Sequence, residues 1–275
     1  MLAAFDAFKE NPLRILVAAG IIIGFFFNIY AVPLFDVDEG AFSEATREMF
    51  ARGDFISTWL NGEPRYDKPI LIYWLQAIGV MIFGVNEFAF RLPSALAATG
   101  WVLAIIWFVH RVRDEQTALI AGVMASTALS IVVIGSAATA DALLNLFIAG
   151  SLFAIYLYFI ERQSGYIYLA FAAMGLGFLT KGPVALLVPV AVSFIFYLWE
   201  GEWRTWFRTA FNPVGWAILL GVAMPWYLAQ YAKEGQAFID GFFLEHNVGR
   251  FEGPMEGHGG SLLYYVPVVL IGLMP

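Results

Sequence analysis

No cysteine occurs in the 275 residues, so disulfides, thiol nucleophiles and thiolate-bound metals are all excluded. Charge is scarce as well. Only 13% of the residues are Asp, Glu, Lys or Arg, against 60% hydrophobic residues, and the mean hydropathy is +0.73. A soluble core of this size does not need so much apolar residue, and the composition is that of an integral membrane protein. The charges that are present sum to -7, which argues against nucleic acid as a partner. A cleavable signal is not expected either, because the first apolar run is too long and no small-residue cleavage site precedes the acidic stretch after it. Aromatic residues, by contrast, make up 17% of the chain, which suits the two interfaces of a bilayer.

Long apolar runs alternate with short polar turns. Residues 1–14 form a polar, mixed-charge head. Residues 15–35 carry no charge and are long enough to cross a hydrocarbon core of ~30 Å. Further spans are expected at 92–109, 117–134, 142–160, 166–179, 184–199 and 214–231, and another begins at 262. The predicted fold is an all-α, multi-span transmembrane bundle of seven to eight spans, one domain over residues 1–275. The last run is cut short without a polar flank, so a longer parent chain is expected.

Residues 36–91 break the pattern with a long acidic loop. It opens with Asp36-Val37-Asp38-Glu39-Gly40, and Pro64-Arg65-Tyr66-Asp67-Lys68-Pro69 follows. Inside it, Phe42, Ala45, Met49 and Phe50 recur at helical spacing, with Glu44, Arg47, Glu48 and Arg52 around the remainder. That spacing predicts an interfacial amphipathic helix over 40–52. Residues 70–85 read either as a helix lying in the interface or as a full span. A second polar loop covers 232–261. The N-terminus and the turns at 110–115, 161–166 and 200–212 hold seven Lys/Arg in about forty residues, and the opposite side holds eight in nearly a hundred. The denser side is therefore expected in the cytoplasm and both large loops outside.

Several residues in these loops carry chemistry or simply end helices. Asp38 precedes a predicted helix, where a carboxylate can cap backbone N–H groups; three carboxylates in four residues exceed what a cap needs. Asp67-Lys68 between two prolines can be an interfacial anchor. Asp141 opens the span at 142 and is also a natural cap. Lys181 ends a span, where a lysine can snorkel and face the helix dipole. The coincidence of side favours a site. Asp38, Asp67, Lys68, Asp141, Lys181, Glu245, His246, Arg250 and His258 all map to the outer face, where acids and cations converging on a bundle resemble an enzyme site.

The ordered set is more specific than its parts. Asp38-Glu39-Gly40, Tyr66-Asp67-Lys68-Pro69, Ala140-Asp141-Ala142-Leu143, Thr180-Lys181-Gly182-Pro183, Glu245-His246-Asn247-Val248-Gly249-Arg250-Phe251, then His258 and Tyr264-Tyr265-Val266-Pro267 follow one another along nearly the whole chain. The chain resembles the membrane half of the aminoarabinose lipid A transferase and protein O-mannosyltransferase family, C-type glycosyltransferases that use polyprenyl-phosphate sugars. The resemblance implies a many-helix membrane fold with juxtamembrane helices in the first outer loop. It implies Asp38 as catalytic carboxylate, with Glu39 beside it and Asp141 as a further acid. It makes Lys68, Lys181 and Arg250 donor-phosphate ligands, with Tyr66 and His258 nearby. It also implies a divalent metal, zinc, between Asp67 and His246, although the family often has the longer Glu at the position of Asp67.

The implied partners are a polyprenyl-phosphate sugar donor, a lipid, protein or glycan acceptor, and the surrounding membrane lipids. The leaving group is an anion at membrane depth, which lysines and arginines can stabilise without a nucleotide or an obligatory metal. A carboxylate can take the acceptor's proton as its oxygen attacks the anomeric carbon, and direct displacement inverts that carbon. The location expected is the bacterial inner membrane, with the site facing the exterior. A transporter or flippase of a lipid-linked sugar is the alternative; it favours ionisable groups at the midplane, and the predicted span interiors hold none.

Overall fold

The computed structural model describes residues 11–35, 37–248 and 265–274, which are mostly helical. Helix α1 (Pro12–Ile21) continues into a π-helical turn (Ile22–Phe26), and α2 is Asp38–Arg52. A two-stranded hairpin, β1 (Trp59–Leu60) and β2 (Glu63–Pro64), precedes α3 (Leu71–Phe83). Then come α4 (Glu87–Val112), α5 (Glu115–Thr127), α6 (Leu129–Ser136), α7 (Asp141–Glu161), α8 (Ser164–Lys181) and α9 (Val184–Trp199). They are followed by α10 (Trp203–Ala210), α11 (Pro213–Glu234), a turn (Gln236–Phe238) running into a π-helical segment (Ile239–Val248), and α12 (Tyr265–Gly272).

Local chemistry explains the boundaries. Asn11 accepts from the N–H of Leu13 at 3.0 Å, with Pro12 as the first helical residue. Asn86 caps α4 through the N–H of Ala89 at 2.9 Å. Asp114 caps α5 through the N–H of Thr117 at 2.9 Å and holds the Thr117 hydroxyl at 2.7 Å. Asn212 caps α11 through the N–H of Gly215 at 2.8 Å, again with a proline next. Each side-chain oxygen satisfies a backbone donor that the first helical turn cannot pair internally.

The chain forms two compact units, each built from separate stretches. The first comprises residues 1–43, 76–146 and 260–275, and the second residues 44–75 and 147–259. In the first, α4 packs on α5 and α6, and α1 lies against α5. In the second, α8 packs on α9 and α11, and α10 folds back on α9.

Expected and observed spans differ in number. Among the described residues, α4 and α7 are long and apolar enough to cross a membrane. The total rises to at most four if α5 with α6, bent by 61°, and α10 with α11, bent by 46°, each count as one. Hydropathy is blind to backbone breaks. Ala128 leaves the helical region at ψ 125° and splits the run expected at 117–134. The first run is helical only to Phe26 and continues as turns. Residues 70–85 yield the 13-residue α3, too short to span by itself. The turn expected at 200–212 contains the helix α10 instead.

The hairpin inside the first loop went unpredicted. Trp59 pairs with Pro64 and Leu60 with Glu63. Asn61 and Gly62 make the turn at φ 54° and 86°, the two left-handed residues of a type I′ hairpin. The hairpin docks on the end of α2: the Gly62 N–H donates to Glu48 Oε1 at 3.1 Å, and the Arg52 guanidinium lies 4.1 Å from the centroid of a Trp59 ring.

Gly62→Ala places a side chain where φ is positive and is expected to cost about 1–2 kcal/mol. Thermal melting of the detergent-solubilised protein should show the loss, with the exposed neighbour Glu63→Ala unchanged.

Candidate active site

The candidate residues fall in both units. In the first unit, Asp38 and Glu39 open α2 as consecutive residues, and the helix turns them in different directions. Asp38 is exposed, whereas Glu39 is 4% exposed. The partner of Glu39 is Arg91 in the second turn of α4, also 4% exposed. The pair is bidentate: Arg91 Nε donates to Oε1 at 2.8 Å and Nη2 to Oε2 at 2.7 Å. The remaining guanidinium donors reach the carbonyls of Ile29, Val32 and Pro33 at 3.3, 2.7 and 3.0 Å. Glu39 also accepts from the N–H of Phe35 at 2.7 Å and of Ala138 at 2.6 Å.

One buried ion pair thus ties together four segments: the end of the first apolar run, the start of α2, the start of α4 and the turn before α7. Two neutral side chains hold that turn as well. Ser94 donates to the Thr139 carbonyl at 2.9 Å, and Gln76 Nε2 to the carbonyls of Ala138 and Phe90 at 3.4 and 3.2 Å. Asp141 follows directly, half-buried at the start of α7. Glu39 therefore fixes the backbone on which both Asp38 and Asp141 stand. Burial alone would raise the Glu39 pKa, but the hydrogen bonds from Arg91, Phe35 and Ala138, with the Arg91 charge, outweigh it and hold the group below its ordinary value.

In the second unit the centre is Arg65-Tyr66-Asp67-Lys68. Asp67 sits between two cations: Lys68 Nζ donates to Oδ1 at 2.5 Å and Arg65 Nη2 to Oδ2 at 2.9 Å. The Tyr66 hydroxyl donates to Glu234 Oε2 at 3.2 Å, and burial together with that carboxylate pushes its pKa up. The Ser57 hydroxyl lies 3.1 Å from both Glu234 Oε1 and Gln230 Oε1. Lys233 pairs with Asp54, and Trp226 Nε1 donates to the Ile56 carbonyl at 2.9 Å. Residues 54–66 are thereby stitched to the C-terminal end of α11. The segment Ile239–Val248 closes over both lysine motifs through tight glycine contacts. A Cβ at Gly241 would come 2.5 Å from the Tyr66 ring, and one at Gly182, next to Lys181, 2.8 Å from the Phe242 ring.

The donor set does not suit the implied metal. Both Asp67 oxygens already carry a cationic partner, so a divalent ion would meet positive charge at its own ligand. Among the described residues no group of three His, Asp or Glu side chains could hold an ion. The side chain of His246 lies outside what is described, as do Arg250 and His258. The arrangement does suit an anion: Lys68, 9% exposed at its side chain, is held in place by its neighbour, and Lys181 ends α8 half-buried.

Three residues of the site carry no functional signal in the sequence: Arg65 inside its motif, Glu234 at the end of a span, and Arg91 at the end of the first loop. Arg91 stands at the edge of the apolar run at 92–109, where a cation reads as a span-end anchor; it needs a buried partner only because α4 starts earlier, at Glu87.

Removing either member of the Glu39–Arg91 pair should destabilise the protein by about 3–5 kcal/mol, because it leaves the other charge buried. The pH dependence has a fixed sign. A carboxylate depressed in the folded state stabilises fully above its unfolded pKa of about 4.3, and that stability is lost as pH falls below it. Melting temperature against pH is expected to drop in acid for the wild type and to flatten in Glu39→Gln.

The geometry has close counterparts. Residues 67–228 match the family described as dolichyl-phosphate-mannose-protein mannosyltransferase. The chain is 31% identical over 249 residues to the undecaprenyl phosphate-alpha-4-amino-4-deoxy-L-arabinose arabinosyl transferase of Aeromonas salmonicida (strain A449), over 88% of this chain and 45% of that protein. It is 30% identical over 259 residues to the protein of that name from Edwardsiella ictaluri (strain 93-146), over 90% of this chain and 46% of the relative. Among solved structures, the crystal structure of ArnT from Cupriavidus metallidurans bound to undecaprenyl phosphate matches with a TM-score of 0.85 at 25% identity, over 94% of this chain and 48% of that one. The chain spans about half the length of these relatives. With more than half of its residues matched, including Asp67, Lys68, Asp141 and Lys181, the chain belongs to the dolichyl-phosphate-mannose-protein mannosyltransferase family.

Proposed function

We propose that the chain is the membrane part of an inverting glycosyltransferase that moves a sugar from a polyprenyl-phosphate donor to a lipid acceptor. The observation that carries this reading is the likeness, over 94% of the chain, to an ArnT structure solved with undecaprenyl phosphate. The names of the relatives support 4-amino-4-deoxy-L-arabinose as the sugar and undecaprenyl phosphate as its carrier.

The chemistry assigns each residue a part. Lys68, Lys181 and Arg250 neutralise the donor phosphate, and the same charges stabilise it as it leaves. The acceptor oxygen attacks the anomeric carbon as the bond from that carbon to the phosphate oxygen breaks. The acceptor's proton passes to Asp38, the general base. Asp141 orients the acceptor, and Glu39 acts through Arg91 as a positioning residue. Asp67 holds Lys68 in place until phosphate competes for it. No step requires a metal. Seven to eight spans, counted with the shorter apolar helices, carry this site in the bacterial inner membrane, with the N-terminus in the cytoplasm and residues 36–91 in the periplasm.

Orientation is open to a direct check. Cysteines at Glu63 and Gln116, both exposed, should differ towards an impermeant thiol reagent in intact spheroplasts. Glu63→Cys is expected to label and Gln116→Cys to stay protected; the reverse pattern would contradict the topology.

Chemistry and binding should separate by mutation. Lys68→Met and Lys181→Met are each expected to weaken donor binding by roughly 1.5–3 kcal/mol, the value of a charge-assisted hydrogen bond. Asp38→Asn keeps the shape and removes the basicity, so turnover should fall ~10²–10⁴-fold with donor binding little changed. Asp38→Asn turning over at a near-normal rate would take the base role away from Asp38.

A further inference from the structure

Helices α8, α9, α10 and α11, with Ile155 of α7, line a partly open cavity of about 320 Å³ within the second unit. Its wall is built from Ile167, Met174, Leu186, Val190 and Leu219, with Trp206 of α10 across it, and no charged side chain lines it. The polar atoms on the wall are already engaged. Trp206 Nε1 donates to Ser193 Oγ at 2.9 Å, and Ser193 in turn to the Val190 carbonyl at 3.2 Å. Thr209 Oγ1 lies 3.1 and 2.9 Å from the Thr205 and Trp206 carbonyls, and Trp216 Nε1 donates to the Ala210 carbonyl at 2.8 Å. A wall with so few free hydrogen-bonding groups retains water poorly. Its size is that of a ligand pocket, and an apolar chain fits its lining.

The helix over the cavity gives the hydrocarbon a charged end. The inner face of α10 supplies Trp206, Thr209 and Ala210 to the wall. Its outer face exposes Arg204 and Arg208, one turn apart, and neither forms an ion pair among the described residues. Exposed Trp199, Trp203, Phe207 and Phe211 surround the same corner, an aromatic collar of the kind found at the headgroup level of a bilayer. An apolar slot beneath a basic amphipathic helix matches a lipid with one negative headgroup and at least one free chain.

We infer that this cavity holds an acyl chain of an anionic bilayer phospholipid, whose phosphate pairs with Arg204 and Arg208. The site is separate from the lysine motifs proposed for the sugar donor.

The test uses the full chain in nanodiscs that contain phosphatidylglycerol or phosphatidylcholine with a photoactivatable acyl chain, followed by peptide mapping of the adducts. Phosphatidylglycerol adducts are expected to concentrate in residues 155–219 and to exceed those of phosphatidylcholine there by roughly fivefold for each arginine engaged. Arg204→Gln with Arg208→Gln should erase the preference for phosphatidylglycerol. Ala170→Trp, which fills the cavity, should abolish the adducts there. Equal labelling by the two lipids in the wild type, or phosphatidylglycerol adducts no more frequent at 155–219 than at the other helices, would overturn the assignment without recourse to any variant. Displacement by equimolar undecaprenyl phosphate would overturn it too, by giving the cavity to the donor's chain.

Discussion

The first unit depends on one desolvated ion pair. Burying a carboxylate and a guanidinium costs several kcal/mol per ion, and attraction alone does not offset that. The Glu39–Arg91 pair is tolerable because two side-chain bonds, three carbonyls and two backbone N–H groups satisfy the lone pairs and donors of both groups. Each of those partners lies at a chain break, where a helix has just ended or is about to start. The pair thus meets two needs at once. It feeds backbone groups that no helix can pair, and it fixes the entry of α2 and the turn before α7. A membrane protein has little water to fill such gaps, so a charged pair does the work that loops elsewhere leave to solvent.

The second unit solves the same problem with a chain of smaller contacts. Asp67 balances Arg65 and Lys68, Tyr66 leans on Glu234, and the aromatic rings of Phe238 and Phe242 pack against that edge. Half-buried lysine is expensive without a counter-ion. A carboxylate next to it in sequence supplies that counter-ion and holds it in place. The donor's phosphate is a diester with one negative charge, like a carboxylate; the monoester left when the sugar departs carries nearly two. Lys68 is therefore drawn from Asp67 most strongly as that bond breaks, and Arg65 stays with Asp67.

Local signals in the sequence carried much of the fold. The run expected at 184–199 has the observed ends of α9, and α7, α8 and α11 begin and end within three residues of their apolar runs. Apolar composition is a property of consecutive residues and can be read without knowing what packs where. Breaks were harder. Ala128 is helix-compatible as a residue type, and only its backbone conformation shows the bend between α5 and α6. The Asn61-Gly62 turn was legible in principle, since that dipeptide between extended residues is a strong hairpin signal. The candidate residues of the site were visible as charges in an apolar chain. The link between Glu39 and Arg91 was not, because the two are separated by 52 residues and only tertiary packing selects the pair.

The central claim is that a sugar is transferred, with inversion, from a lipid phosphate. The direct measurement reconstitutes the full-length protein in vesicles with a polyprenyl-phosphate sugar labelled at the anomeric carbon, and follows that carbon by NMR. The account predicts cleavage of the donor, one free polyprenyl phosphate for each sugar transferred, and a product of opposite anomeric configuration. A donor that crosses the bilayer with its sugar–phosphate bond intact, or a product of retained configuration, would contradict it.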